Sequence, residues 1–170
     1  MTWNMPTTQF EEYKAVLGGI AGKTLEDFIN IKYNNVEVWR FLELDYARQS
    51  QLLNHPEMAL PNASKAVSPK EKFTDYLFNP ENEKGWAKGQ AIMSRLGYSA
   101  ENWELMQREI LQGAKLYPAN YRGNNGYGDR YEQRMILYGV TGAPANVIVG
   151  WLVKENGSVN MTTAYIKEVK

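Results

Sequence analysis

The stretch from Gly126 to Tyr165 constrains the fold most: GYGDRYEQRMILYGVTGAPANVIVGWLVKENGSVNMTTAY, a series of short runs cut by glycine-bearing turns. Alternation from Asp129 to Tyr138 puts Tyr131, Gln133, Met135 and Leu137 on one face of a strand and Arg130, Glu132, Arg134 and Ile136 on the other. Ala145 to Val153 is nearly all apolar, which predicts a central strand covered on both faces. Asn156-Gly157 predicts a hairpin turn, and Val159 to Ile166 the last strand. Upstream, Tyr121-Arg122 opens a strand that Asn124-Asn125-Gly126 turns back. Strands joined by short turns make an antiparallel sheet. Whether that sheet is only a scaffold or the floor of an active site is the functional question.

Helices precede it. Thr7 to Leu17 gives a rough helical stripe with Thr8 as cap, ended by Gly18-Gly19. Thr24 and Asp27 form a near capping box for a second helix. A third runs from about Val36 to Leu53, with Val38, Trp39, Leu42, Tyr46 and Leu53 at helical spacing, and stops at His55-Pro56. Pro56 to Pro69 reads as a linker. Ser68-Pro69-Lys70-Glu71 then starts a helix with Ser68 as cap, stopped by Asn79-Pro80. Lys84 to Leu96 is the next, with Trp86, Ile92, Met93 and Leu96 inward and Gly97 as its stop. Ser99 caps another that runs to about Leu116, with Trp103, Met106, Ile110 and Leu111 on one side. Helices followed by strands predict an α+β fold. The division is 1–55 N-terminal helical region, 56–69 linker, and 70–170 helix-then-antiparallel-sheet domain.

Composition removes several chemistries. Cysteine is absent, which excludes disulfides, thiolate zinc sites and cysteine nucleophiles. The one histidine, His55, sits beside a proline in a loop, where a solvated or capping side chain is the plain reading. No Asp/Glu cluster has metal-ligand spacing, and no cofactor is expected. The 19 basic residues balance the 19 acidic ones, with a net +2 beyond Val67, too little to argue nucleic acid by itself. Neither a signal peptide nor an apolar run of membrane-spanning length stands out, so a soluble protein is expected. Gly126-Tyr127-Gly128 lacks the lysine and hydroxyl of a phosphate loop and precedes a strand.

Several residues carry a family resemblance: Phe73-Thr74-Asp75-Tyr76-Leu77 with Asn79, Gly85 with Lys88, Leu96-Gly97-Tyr98, and Trp103. They continue with Gly126-Tyr127-Gly128, Tyr131, Gly142 with Ala145-Asn146-Val147, Gly150-Trp151 and Thr163-Ala164-Tyr165. On these the chain from about Lys72 to Ile166 resembles an uncharacterised domain at the C-termini of bacterial polymorphic toxins and some phage minor-head-type proteins. Phe10 to Tyr46, through Tyr13-Lys14, Leu25-Glu26-Asp27-Phe28, Lys32-Tyr33-Asn34 and Trp39, resembles a segment that precedes variable C-terminal domains in phage-head-type proteins. The resemblance implies a toxin tip whose helix-plus-antiparallel-sheet domain is of small-ribonuclease type, with metal-independent ribonuclease activity, an immunity protein as partner, and RNA as substrate. It implies action in the cytoplasm of a producer or target cell, with secretion or virion delivery as routes. Many relatives carry a histidine where this chain has Asn82. Were that histidine the family's base, this copy would be impaired or would use another group.

Metal-independent RNA cleavage needs an activated 2′-hydroxyl, a neutralised phosphate and a protonated leaving oxygen. Without a histidine after residue 55, the candidates are Lys72 and Lys88 for phosphate electrostatics, Arg130 as phosphate clamp, and Thr163 with Tyr165 as hydroxyl donors on one strand face. Arg122, Tyr127, Tyr131 and Arg134 are candidates for RNA binding, as bases interleaved with aromatics. The plain alternative for each is a solvated lysine, a sheet-face arginine or a half-buried core tyrosine. A non-catalytic protein-binding module is the rival function.

Overall fold

The computed structural model describes residues 32–33, 36–141 and 143–168, with side chains from residue 40 onward. The first two expected helices, and the phage-head-type segment as far as Ile31, fall outside these residues. Two short strands, β1 (Lys32–Tyr33) and β2 (Val36–Glu37), pair as a hairpin and lead into α1 (Val38–Asn54). Its inward face is Phe41, Leu42, Asp45 and Gln49, whereas Leu53, expected to be buried, is 68% exposed. The side chains of Val38 and Trp39 lie outside the description.

The chain from Pro56 to Pro69, read as a linker, forms two single-turn 3-10 helices and a short strand, β3 (Ala66–Val67). β3 pairs with the last strand in parallel, so the sheet is mixed instead of wholly antiparallel. Two residues carry no legible periodicity, which is why the strand is invisible in the sequence. Leu60, from the same stretch, is buried in the main core.

Ser68 does not cap by its side chain: its hydroxyl is buried without a hydrogen-bond partner among the described residues. Its carbonyl instead accepts Gln107 Nε2 at 2.7 Å. The helix expected after Ser68 is not an ordinary one. Lys72–Leu77 is π-helical, closed by Phe78 N–H to Phe73 O at 2.8 Å. The wide turn buries Phe73 and Leu77 and leaves Tyr76 half-buried at the rim.

Asn82 caps α2 (Glu83–Leu96), its Oδ1 accepting Gly85 N–H at 3.1 Å, and Gly97 ends the helix as expected. The last helix, α3 (Trp103–Gly113), begins later than expected. Ser99 and Asn102 exchange bonds within their own turn, Ser99 N–H to Asn102 Oδ1 and Glu101 N–H to Ser99 Oγ, and so hold it out of the helix.

Strands β4 (Ala119–Asn124), β5 (Asp129–Leu137), β6 (Ala145–Val153) and β7 (Val159–Ile166) form an antiparallel meander. With β3 the sheet order is β3-β7-β6-β5-β4, and β6 is its centre. The architecture is α+β. On the inner face Met135, Leu137, Val147, Val149, Trp151, Met161 and Ala164 meet Phe73, Leu77, Ile92, Leu96, Met106 and Ile110 in one core. Buried Gln133 is fully used: its Oε1 accepts Trp151 Nε1–H at 3.0 Å, and its Nε2 donates to Ala114 O and Tyr117 O.

The outer face carries Arg130, Glu132, Arg134 and Ile136 opposite Leu152, Gly150, Ile148 and Asn146. At its Asn146 end, α1 docks through Arg48 Nη1, which donates to Asn146 Oδ1 at 2.8 Å. Among the described residues no element covers the other end, where a cleft lined by Arg122 and Tyr165 lies.

Candidate functional site

The open end begins where α2 meets the π-helical segment. A Cβ on Gly85 would stand 2.1 Å from Tyr76 O, and one on Gly89 1.7 Å from Leu77 O. With glycine at both positions the two backbones touch. Lys88, between them in sequence, is thereby delivered to Tyr76 and to the edge of β7. Its ammonium donates to Tyr76 Oη at 2.7 Å and to Thr163 Oγ1 at 2.9 Å, and those two oxygens lie 3.3 Å apart. The same ammonium stands 5.3 Å from the Tyr76 ring centre and 5.5 Å from that of Tyr165, within cation–π range. Lys72 Nζ lies 5.7 Å from the Tyr76 ring centre.

Thr163 reaches this position through a bulge. Gly150 pairs with Thr163 and Trp151 with Met161, so Thr162 is the extra residue. A Cβ on Gly150 would meet Thr162 Oγ1 at 2.7 Å and Thr163 Cγ2 at 3.2 Å. Glycine there makes room for both threonines on the outer face. Next to them a cleft of about 440 Å³ runs along the sheet, lined by Arg122, Arg130, Glu132, Thr162, Thr163 and Tyr165.

Electrostatics set Tyr76 apart. Partial burial pushes its phenol up, but hydrogen bonds from Lys88 and Thr163 and the charges of Lys88 and Lys72 outweigh it and leave the phenol more acidic than ordinary tyrosine. A cation, an acidified phenol and a hydroxyl thus share one hydrogen-bonded cluster, able to move a proton beside positive charge.

Of the residues singled out from the sequence, Lys88, Thr163 and Tyr165 come together, and Lys72 flanks them. Arg130 lines the adjoining cleft, its Nη2 donating to Arg122 O at 3.0 Å, while Arg122 Nε stands 3.8 Å from Glu132 Oε1. Arg134 is on the same face beside α1. Tyr127 is 79% exposed in the turn after β4. Tyr131 borders the same cleft as Arg122 and Arg130, while it also packs against the core and stands edge-on to Tyr121. His55 is exposed and pairs with Glu57. Asn82 is a helix cap, and its Nδ2 also donates to Asp75 O. Tyr76 escapes sequence reasoning because it reads as helix body; its place in the Phe73-to-Leu77 motif, four residues after Lys72, is the available signal.

A second polar cluster lies between α1, α3 and the end of β5. Asp45 is buried and accepts Tyr117 Oη–H at 2.5 Å, Gln49 Nε2–H at 2.8 Å and the Tyr138 hydroxyl. Burial, offset in part by the Gln49 and Tyr117 bonds and by Arg48, raises its pKa to about 7. Glu109, likewise pushed up by burial, accepts Tyr98 Oη–H at 2.5 Å and the Tyr138 N–H. Among the described residues no three His, Asp or Glu gather as a metal site, and no helix is long and apolar enough to cross a membrane.

Comparison with known proteins places the molecule. A family model described as a domain of unknown function (DUF6883) matches residues 59–168, and the chain belongs to that family. No curated protein matches it. Among solved structures, the chain is similar to one from a contact-dependent growth inhibition toxin–immunity protein complex of Klebsiella pneumoniae 342. The TM-score is 0.51 and the identity 19%, over 65% of this chain and 100% of the other. At that identity the likeness is one of fold.

Proposed function

We propose that this DUF6883 member is a toxin-type effector that cleaves RNA without a metal, at the Lys88–Tyr76–Thr163 cluster. The observation that carries the reading is the Lys88 ammonium held at 2.7 Å from an acidified Tyr76 phenol, beside an arginine-bearing cleft. Tyr76, acting as the phenolate after its own proton has passed to solvent, takes the proton of the ribose 2′-hydroxyl, whose oxygen attacks the adjacent phosphorus. Lys88 and the Thr163 hydroxyl neutralise the phosphoryl oxygens, with Lys72 and Arg130 as outlying cations. The P–O5′ bond breaks, the 5′-oxygen leaves with a proton drawn from solvent water, Tyr76 returns its acquired proton to solvent, and a 2′,3′-cyclic phosphate remains. Tyr165 holds the ammonium against its ring face and borders the cleft. An immunity protein covering that cleft is the expected partner, in keeping with the fold likeness to a chain of a toxin–immunity complex.

The test is incubation of the full chain with total tRNA in chelator, followed by end-group analysis. Wild type yields cyclic phosphate ends, while Lys88→Ala and Tyr76→Phe lose about 10²-fold or more of the rate. Absence of both cleavage and growth arrest on expression rejects the reading. The rival, a non-catalytic protein-binding module, draws on the balanced charge of the chain, which gives no field to steer RNA. Tight capture of a neighbouring-gene product with no cleavage would favour it.

A further inference from the structure

Across the outer face, Arg134 on β5, Ile148 on β6 and Tyr165 on β7 occupy one row. At the usual strand spacing, Arg134 is therefore about 10 Å from Tyr165. Beside Arg134 lies a separate cavity of about 230 Å³, lined by Arg48, Gln51, Met58, Pro118, Asn120 and Arg134. Its cations come from two elements: Arg134 from the sheet and Arg48 from α1, which precedes the family-matched residues 59–168. Among the described residues neither guanidinium has a carboxylate within salt-bridge distance. Arg48 is positioned by its bond to Asn146 Oδ1, and Arg134 is exposed. Burial, with the like charge of Arg134, makes Arg48 easier to deprotonate than a free guanidinium, although the nearby Tyr117 and Asp45 pull the other way. Two like charges brought together over a polar cavity are relieved by an anion, and paired guanidinium forks suit a tetrahedral oxyanion. Gln51 and Asn120 add neutral amides at the rim.

We propose that Arg48 and Arg134 form a phosphate-binding subsite for the backbone of a single-stranded RNA, one that α1 completes. Resting on the functional reading above, it takes a phosphate neighbouring the one held at Lys88, so a strand crosses the sheet from β7 to β5. The α1 helix is then part of the substrate surface.

The experiment is fluorescence anisotropy of the full chain with a 2′-deoxy-substituted oligonucleotide that resists cleavage, titrated over a range of salt. A parallel titration uses inorganic phosphate, followed by NMR of the arginine side chains. Arg134→Gln, at an exposed position, should weaken oligonucleotide binding three- to tenfold. It should also reduce the slope of log affinity against log salt by about 0.7, the loss of one phosphate contact. Arg48→Gln should do the same, with its fold checked by circular dichroism. Lys88→Ala, run alongside, separates the readings: if it abolishes cleavage while Arg134→Gln leaves affinity and slope untouched, the subsite is wrong and the cleavage reading stands. Binding that depends on Arg134 in a chain that cleaves nothing upholds the subsite and rejects the reaction. Inorganic phosphate bound at the pair without oligonucleotide binding overturns the RNA assignment and leaves a free-oxyanion site.

Discussion

Tyrosines occur here in two opposite settings. Tyr76 faces a lysine, and its phenol becomes more acidic despite partial burial. Tyr98 and Tyr117 face carboxylates; burial first, then the adjacent negative charge, pushes their phenols up, and burial does the same for Tyr138. The carboxylates answer in kind, with Asp45 raised to about 7. The lesson concerns placement. Beside a cation at the rim, a phenol is made easier to ionise; between buried acids, it is a fixed donor that ties α1 and α3 to β5.

That contrast can be broken from either side. The largest effect is expected at Asp45→Ala, which leaves the buried hydroxyls of Tyr117 and Tyr138 without this acceptor. Urea unfolding should show a loss of about 2–5 kcal/mol, and a loss below about 1 kcal/mol would mean that the cluster contributes little.

Next is the pH dependence. Asp45 is protonated in the folded chain up to about pH 7 and ionised above about 3.8 when unfolded. Its contribution is therefore complete below the lower value and is lost as pH rises through the higher one. The slope is at most about 1.4 kcal/mol per pH unit. Asp45→Asn should flatten the profile relative to wild type between those limits, and parallel profiles would contradict the raised pKa. Glu109, shifted in the same direction, remains in both proteins.

At the rim, ultraviolet titration should find a tyrosine ionising ahead of the others. The early fraction should vanish in Tyr76→Phe and move upward in Lys88→Met; its survival in Tyr76→Phe would assign it elsewhere. The smallest effect is at Asn82→Ala, which removes the α2 cap at a cost of about 1 kcal/mol. A larger change, with cleavage lost but the fold intact, would give Asn82 a chemical part that its cap geometry does not suggest.

Much of the sheet is legible in the sequence because its signals are local. The apolar run of β6, the Asn156-Gly157 turn and the alternation in β5 mark the bounds of β6 and β7 and the two faces of β5. The closeness of Lys88 and Thr163 can be anticipated because one lies on a helix expected to pack on the strand carrying the other. Tyr76 cannot be picked out, since a π-turn has no sequence period of its own and the residue passes for a rung of a helix. Asp45 is hidden for another reason. An acid in a helix normally reads as solvated, and only the tertiary arrival of Tyr117 and Tyr138 makes it a core residue. Arg48 gives no local signal because its neighbours Asn146 and Arg134 are far away along the chain, Asn146 by 98 residues.

The glycine pair of α2 has a wider consequence. Where Gly85 and Gly89 meet the π-helical segment, main chain rests on main chain, so the address of the Lys88 ammonium is written in atoms that every amino acid shares. Tolerance and intolerance are then neighbours on one helix: Ile92 and Leu96 should accept apolar groups of similar volume, while a single methyl at either glycine would lift the helix away and take the lysine with it.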